Sequence, residues 1–235
     1  LESRDFKIEN GEKIMEHARS IKSTEEIKAM RCSVSACETS MHIMEKKTKP
    51  GMAENDIWSI LHSENIKRGG EWIETRLLSS GTKTNPWFQE CGSRILQNNE
   101  IVAFDTDLVG CYSMCTDISR TWWVGDREPT NEMKQDYRIA LDHIQQNAEI
   151  ISPGVHFKDL TFKGHQLNNT YKKQQYSCRF HGVGLCDEFP LIAYSEDYEE
   201  GAFDYVLQPG MTLCVEALIS PVSYTHLRAH ETIDD

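Results

Sequence analysis

The sequence predicts an α+β domain built as two similar halves, and three observations carry that reading. Amphipathic helices alternate with short apolar runs, the order of helix, Pro-Gly stop and strand occurs twice, and the two occurrences are offset by near-equal distances. Helix starts at Thr24 and Thr130 lie 106 positions apart, the stops at Pro50 and Pro153 lie 103 apart, and the apolar strands around Phe104 and Val215 lie 111 apart. Only two copies, at a period far above about 50 residues, exclude a solenoid. A site between two such halves is the natural expectation.

The elements follow in order. Ser23-Thr24-Glu25-Glu26 reads as a capping box, and Ile27, Met30, Val34, Cys37, Met41 and Met44 then recur at helical spacing up to Pro50-Gly51. Ile57, Trp58, Ile60, Leu61 and Ile66 fill a second helix that stops at Gly69-Gly70. Two apolar runs, 101–109 and 113–124, flank Gly110-Cys111 and read as a β-hairpin turning about Cys111. After Thr130 the residues Met133, Tyr137, Ala140, Leu141, Ile144, Ala148 and Ile151 form a third amphipathic stretch, which Pro153-Gly154 ends. One shorter helix is expected through Leu160, Leu167 and Tyr171.

Composition narrows the function. The chain of 235 residues is 39% hydrophobic and 26% charged, which suits a folded globular domain. Its net charge of −12, without a long basic block, argues against nucleic acid as a partner. No apolar run is long enough for a membrane span or a signal peptide, so no membrane partner and a cytoplasmic location are expected. The eight dispersed cysteines lack the paired spacing of structural zinc and are expected as reduced core thiols.

In Val-Ala-Phe-Asp-Thr-Asp-Leu-Val, Asp105 and Asp107 are two apart and share one strand face. A turn about Cys111 sets Asp105 opposite Asp117 and Asp107 diagonal to it, at about 5 and 7 Å. Three like charges this close oppose one another, and burial adds to the cost, unless a cation binds among them. His181 in Phe-His-Gly-Val-Gly and Glu216 in Leu-Cys-Val-Glu-Ala are further candidates from the second half. Each residue taken singly has an ordinary structural reading, as cap, core histidine or ion-pair partner; their combination favours a divalent Mn, Fe, Co or Zn ion, or a pair of ions.

These motifs resemble the pita-bread metalloenzymes, the family of methionine and proline-specific aminopeptidases, prolidase and creatinase. Asp-Thr-Asp, an Asp ten residues further on, Asp-Ile-Ser-Arg-Thr, His-Gly-Val-Gly and Val-Glu-Ala occur in the family's order between about Ser20 and Pro221. Within the family, Leu-Leu-Ser-Ser-Gly and Thr-Asn-Pro-Trp-Phe-Gln-Glu are most similar to the branch that cleaves dimethylsulfoniopropionate. The resemblance implies a curved, mostly antiparallel sheet with helices outside, and metal ligands at Asp105, Asp107, Asp117, His181 and Glu216, with iron the metal of this branch. It also implies a small zwitterionic substrate, a homodimer and Asp187 as general base.

The peptidases of this fold carry a His before the first Asp and a His-Glu pair after His-Gly-x-Gly. Here no His occurs between His62 and His143, and Asp187-Glu188 takes the second position. The expected reaction is therefore β-elimination to dimethyl sulfide and acrylate, with Tyr176 and Trp87 as aromatic partners of the sulfonium. An Xaa-Pro peptidase and a non-catalytic binding module of the same fold are the alternatives.

Residues 1–22 read as the linker from a preceding domain and 23–222 as the catalytic domain, truncated at its C-terminal end. Residues 223–235 read as a non-native, adaptor-derived tail. The family's last ligand is a Glu fifteen residues beyond the position of Glu216. Glu231 has that spacing, but Arg-Ala-His-Glu-Thr lacks strand alternation, so the role is not carried over.

Overall fold

The computed structural model describes residues 7–199, 204–220, 227–228 and 231–234. Helix α1 (Glu12–Ser20) precedes α2 (Thr24–Lys47) and α3 (Glu54–Lys67). The capping box holds α2 as expected: the Glu26 N–H donates to the Ser23 hydroxyl at 3.3 Å and the Ser23 N–H donates to Glu26 Oε2 at 2.7 Å. Met30, Cys37, Met41 and Met44 are buried, and so are the small residues Ser33, Ala36 and Ser40. Small side chains let the backbone of the following hairpin approach. The Ser33 hydroxyl donates to the Met114 carbonyl at 2.8 Å, and a Cβ on Gly110 would collide with Ser33.

The first-half sheet has the order β1 (Leu78–Ser80), β2 (Glu100–Phe104), β5 (Arg120–Val124), all antiparallel. Strands β3 (Asp107–Val109) and β4 (Cys115–Asp117) continue the same hairpin. Phe104 pairs with Arg120 and Asp107 with Asp117. The hairpin thus turns about Tyr112, not Cys111, and the expected pairing of Asp105 with Asp117 is two residues out of register. The cause is local: Cys111–Ser113 form a 3-10 turn in which Tyr112 (φ 63°) and Ser113 (φ 60°) take the left-handed conformation. Neither residue type advertises that conformation.

In the second half α4 (Asn131–Ala148) starts at the Thr130 cap, whose hydroxyl accepts from the Met133 N–H at 3.2 Å. Its buried face includes Asp136, His143 and Asn147 beside Ala140 and Ile144, whereas Tyr137 and Leu141 of the apolar pattern are exposed. The single short helix expected next is two, α5 (Phe157–Lys163) and α6 (Asn169–Lys172), because Gly164 leaves the helical conformation. Strands β6 (Phe180–Val183), β7 (Asp187–Ile192) and β8 (Thr212–Val215) are joined by β11 (Glu231–Asp234) in the order β11-β8-β6-β7. A separate pair joins β9 (Leu218–Ile219) to β10 (Leu227–Arg228). Backbone strands therefore occur at 227–228 and 231–234, where the sequence pattern gives none: a ladder needs N–H and C=O groups, not apolar alternation. Residues 223–226, 229–230 and 235 of that segment lie outside the described residues.

Each half has its own core, one around Leu61, Phe104 and Leu108 and one around Leu160, Phe180 and Val215. A third cluster of Met30, Met114, Cys115, Val183 and Cys214 draws on both halves, and the Cys115 N–H donates to the Gly184 carbonyl across them at 2.7 Å. The acids sit above this seam.

Glu54 at the start of α3 is buried and accepts from the Ser80 N–H (2.9 Å), the Ser80 hydroxyl (2.8 Å), Lys83 (2.7 Å) and the Gly92 N–H (3.2 Å). Glu54→Gln removes the charge that faces Lys83, and the expected loss is about 1–3 kcal/mol. A urea midpoint identical to that of the parent, at equal slope, would contradict it.

Candidate metal centre

His181 lies in β6 opposite Cys214 of β8, and Phe180 lies opposite Val215. The Glu216 N–H donates to the Arg179 carbonyl at 3.0 Å, which carries the Glu216 side chain to the His181 side of the sheet. From the first half, β4 ends at Asp117. His181 Nε2 stands 3.0 Å from Asp117 Oδ2 and 3.1 Å from Glu216 Oε1. All three side chains are buried. Nδ1 is 3.0 Å from the Gly182 carbonyl, which can only accept, so Nδ1 carries a proton and Nε2 is the nitrogen left to face a cation. Gly182 is required here, since a Cβ would collide with the Phe189 backbone.

Two sets of side chains bring potential ligand atoms within 4.8 Å of one another: Asp117, His181 and Cys214, and Asp107, Asp117 and Asp187. Asp107 is oriented by the Thr75 hydroxyl, which donates to its Oδ2 at 3.0 Å. Asp187 is 47% exposed in its side chain and its Oδ1 lies 3.8 Å from His181 Nδ1. Asp105 is buried, its N–H bound to the Leu77 carbonyl at 2.9 Å, and it belongs to neither set.

Of the sequence candidates, Asp107, Asp117, His181, Glu216 and Asp187 thus converge, and Asp105 stands behind them in the chain. Cys214 and Thr75 were not foreseen. Cys214 had a signal, because it is two residues before Glu216 and shares its strand face; Thr75 had none. Burial, with Asp187, Asp107 and Asp117 adding negative charge, pushes the Cys115 thiol well above its ordinary range, so it stays a thiol.

Burial alone would lower the pKa of His181, but the hydrogen bonds and charges of Asp117 and Glu216 outweigh it and raise the group well above 6.5. The proton thus stands where a cation is wanted, and the donor set of carboxylates with one imidazole fits a divalent ion. With the folded pKa above the unfolded one, this contact stabilises the fold fully below about pH 6.5 and loses that effect as pH rises through the folded value. Metal uptake needs neutral imidazole. Binding of Mn²⁺ is therefore expected to release a proton and to tighten as pH rises, and calorimetry in buffers of different ionisation enthalpy reads this. Zero proton release would place His181 outside the ligand set.

A cleft of about 300 Å³ opens beside these residues and is lined by Glu16, Tyr176, His181, Asp187, Phe189 and Leu191. Trp87 does not line it; at 6% exposure it packs with Leu77, Ala103 and Leu218. Its neighbour Phe88 is 58% exposed and stacks on Tyr176 at 6.0 Å between ring centroids. A second cavity, of about 360 Å³ beside Trp122 and Trp123, has no carboxylate in its lining.

The chain spans about half the length of the curated relatives it matches. It is 55% identical over 225 residues to "Dimethylsulfoniopropionate lyase DddP" of Roseobacter denitrificans, covering 94% of this chain and 50% of that protein. A protein of the same description from Roseovarius nubinhibens is 53% identical over 227 residues, covering 94% and 51%. Among solved structures, an Xaa-Pro dipeptidase from Bacillus anthracis has a TM-score of 0.79 at 24% identity, covering 94% of this chain and 61% of its own. A prolidase from Pyrococcus furiosus has a TM-score of 0.81 at 21% identity, covering 95% and 65%. These likenesses establish the pita-bread fold, with its antiparallel sheets and outer helices. No helix among the described residues is long and apolar enough to cross a membrane. The carboxylate and imidazole groups could hold a divalent ion, on which the M24 family depends; residues 28–232 match the profile of metallopeptidase family M24, and the chain belongs to that family.

Proposed function

We propose that this chain is the catalytic part of a metal-dependent lyase that cleaves dimethylsulfoniopropionate to dimethyl sulfide and acrylate. The observation that carries the reading is Asp187: an accessible carboxylate beside the metal cluster, sharing a cleft with Tyr176, where the fold's peptidases have histidine. Two relatives named as such lyases, at 55% and 53% identity, support it.

Asp105, Asp107, Asp117, His181 and Glu216 would hold the metal, iron by preference over Mn, Co or Zn, as one ion or two. Once bound, it supplies positive charge for the substrate carboxylate and for the enolate character that develops on it. Asp187 takes the proton from the carbon next to the carboxylate. The freed electron pair becomes the carbon–carbon double bond, the carbon–sulfur bond breaks with its electrons on sulfur, and neutral dimethyl sulfide leaves acrylate behind. Tyr176, stacked with Phe88, offers a ring face to the sulfonium, worth about 0.5–2 kcal/mol per ring. Trp87 packs behind that pair and supports it rather than touching substrate.

The partners that belong to this reading are a small zwitterion and a second copy of the chain. The full-length polypeptide containing residues 1–235, loaded with Fe²⁺, is expected to release dimethyl sulfide from the substrate. A folded, metal-loaded sample that releases none, and instead hydrolyses an Xaa-Pro dipeptide, would replace this reading with a peptidase.

A further inference from the structure

Residues 12–22 read as linker in the sequence and precede the family match, which begins at residue 28. In the structure they pack beside the cleft. Glu16 of α1 lines it, the ring of His17 lies 4.7 Å from that of Phe189, and the Lys22 N–H donates to the Gly210 carbonyl at 2.7 Å. Two cations from this segment converge on Glu188. Lys22 Nζ pairs with Glu188 Oε1, and Arg19 Nε lies 3.0 Å from Glu188 Oε2. The Lys22 and Glu188 side chains are buried, and Gly184 makes room for them: a Cβ there would lie 2.6 Å from Glu188 Oε1 and 2.7 Å from Lys22 Cε.

Burying such a pair costs several kcal/mol of hydration, and apolar side chains would serve stability as well. Its other use is to specify register. At the β6–β7 tip, Val183 pairs with Asp187 and Gly182 with Glu188, after which the register shifts and His181 pairs with Leu191. Only two residue pairs lie beyond the irregularity, too few to set the pairing firmly. A slip by one residue exchanges the two strand faces and would turn Asp187 inward. Both residues line the cleft, but the Glu188 carboxylate is buried against Lys22 and Arg19 while the Asp187 side chain is 47% exposed, so anchoring Glu188 fixes the strand orientation that presents Asp187.

We propose that Glu188, clamped by Lys22 and Arg19, is a positioning residue for Asp187, and that the segment before the family domain is part of the working site. The catalytic consequence rests on the lyase reading; the structural one does not. The test compares Glu188→Gln and Lys22→Arg with the parent in the full-length, iron-loaded protein. Turnover, iron content and amide hydrogen exchange are measured together.

Glu188→Gln is expected to lower kcat by about 10- to 100-fold with KM changed less than about threefold, since small displacements of a reacting group cost this much. Iron content should stay constant, and exchange should quicken at the amides of 186–189 without change in α2 or β2. Lys22→Arg, which keeps the charge, should retain most of the parent's kcat. Exchange at 186–189 equal to that of the parent overturns the inference, as does exchange that rises uniformly along the chain. If the parent itself shows no turnover, the lyase reading falls and local exchange alone decides the positioning role.

Discussion

Asp187→Asn is expected to lower lyase turnover by on the order of 10² to 10⁴, the range for losing a positioned general base, while the protein still folds and keeps its metal. The side chain is about half exposed, so stability should move by less than about 0.5 kcal/mol. The measurement pairs dimethyl sulfide release with elemental analysis of the same sample. Asp187 also lies within ligand reach of Asp107 and Asp117, and this gives the experiment its edge. Iron lost in proportion to activity would make Asp187 a ligand rather than the base. Full activity with full iron would remove it from the mechanism.

His181→Ala attacks the other half of the arrangement. In the metal-free protein the imidazolium lies between the buried Asp117 and Glu216 carboxylates, at 3.0 and 3.1 Å. Removing it leaves two acids facing each other without a cation, a change that costs about 3 to 5 kcal/mol where a buried ion pair is broken. The acids can recover part of that by sharing a proton, but the imidazolium contact is fully present below about pH 6.5 and fades as pH rises, so the loss should be larger at pH 5 than at pH 8. Metal affinity should fall by more than about 100-fold, beyond the range for losing an outer-shell partner. Denaturant melts at the two pH values, with and without Mn²⁺, read both effects. A variant as stable as the parent at pH 5 that still binds one ion tightly would refute the role given to His181.

The parts that sequence reasoning reached are those set by near neighbours. The Ser23 cap with Glu26 three residues on, the Thr130 cap and the apolar spacing of α2 all depend on contacts within a turn or two, and the structure has them. Reading failed where an unusual turn conformation or distant chain decides. The hairpin register moved by two because Tyr112 and Ser113, not the glycine before them, adopt the left-handed conformation against α2. Phe88 is the exposed ring that stacks on Tyr176 while Trp87 stays in the core cluster, since one residue of chain direction settles which ring turns outward. Glu54 is a first-turn acid of α3 that only the approach of Ser80, Lys83 and Gly92 makes a buried hub.

By itself the sequence determined the inventory: two similar halves of an α+β domain, a net acidic chain, and four acids and one imidazole in motifs of one metalloenzyme family. Tertiary structure alone decided which of those groups meet. His181 between Asp117 and Glu216, and Lys22 and Arg19 on Glu188, are contacts between segments far apart in the chain. Helix and strand preferences act over a few bonds, whereas these meetings are fixed by the seam of Met30, Met114, Cys115, Val183 and Cys214 that presses the two halves together.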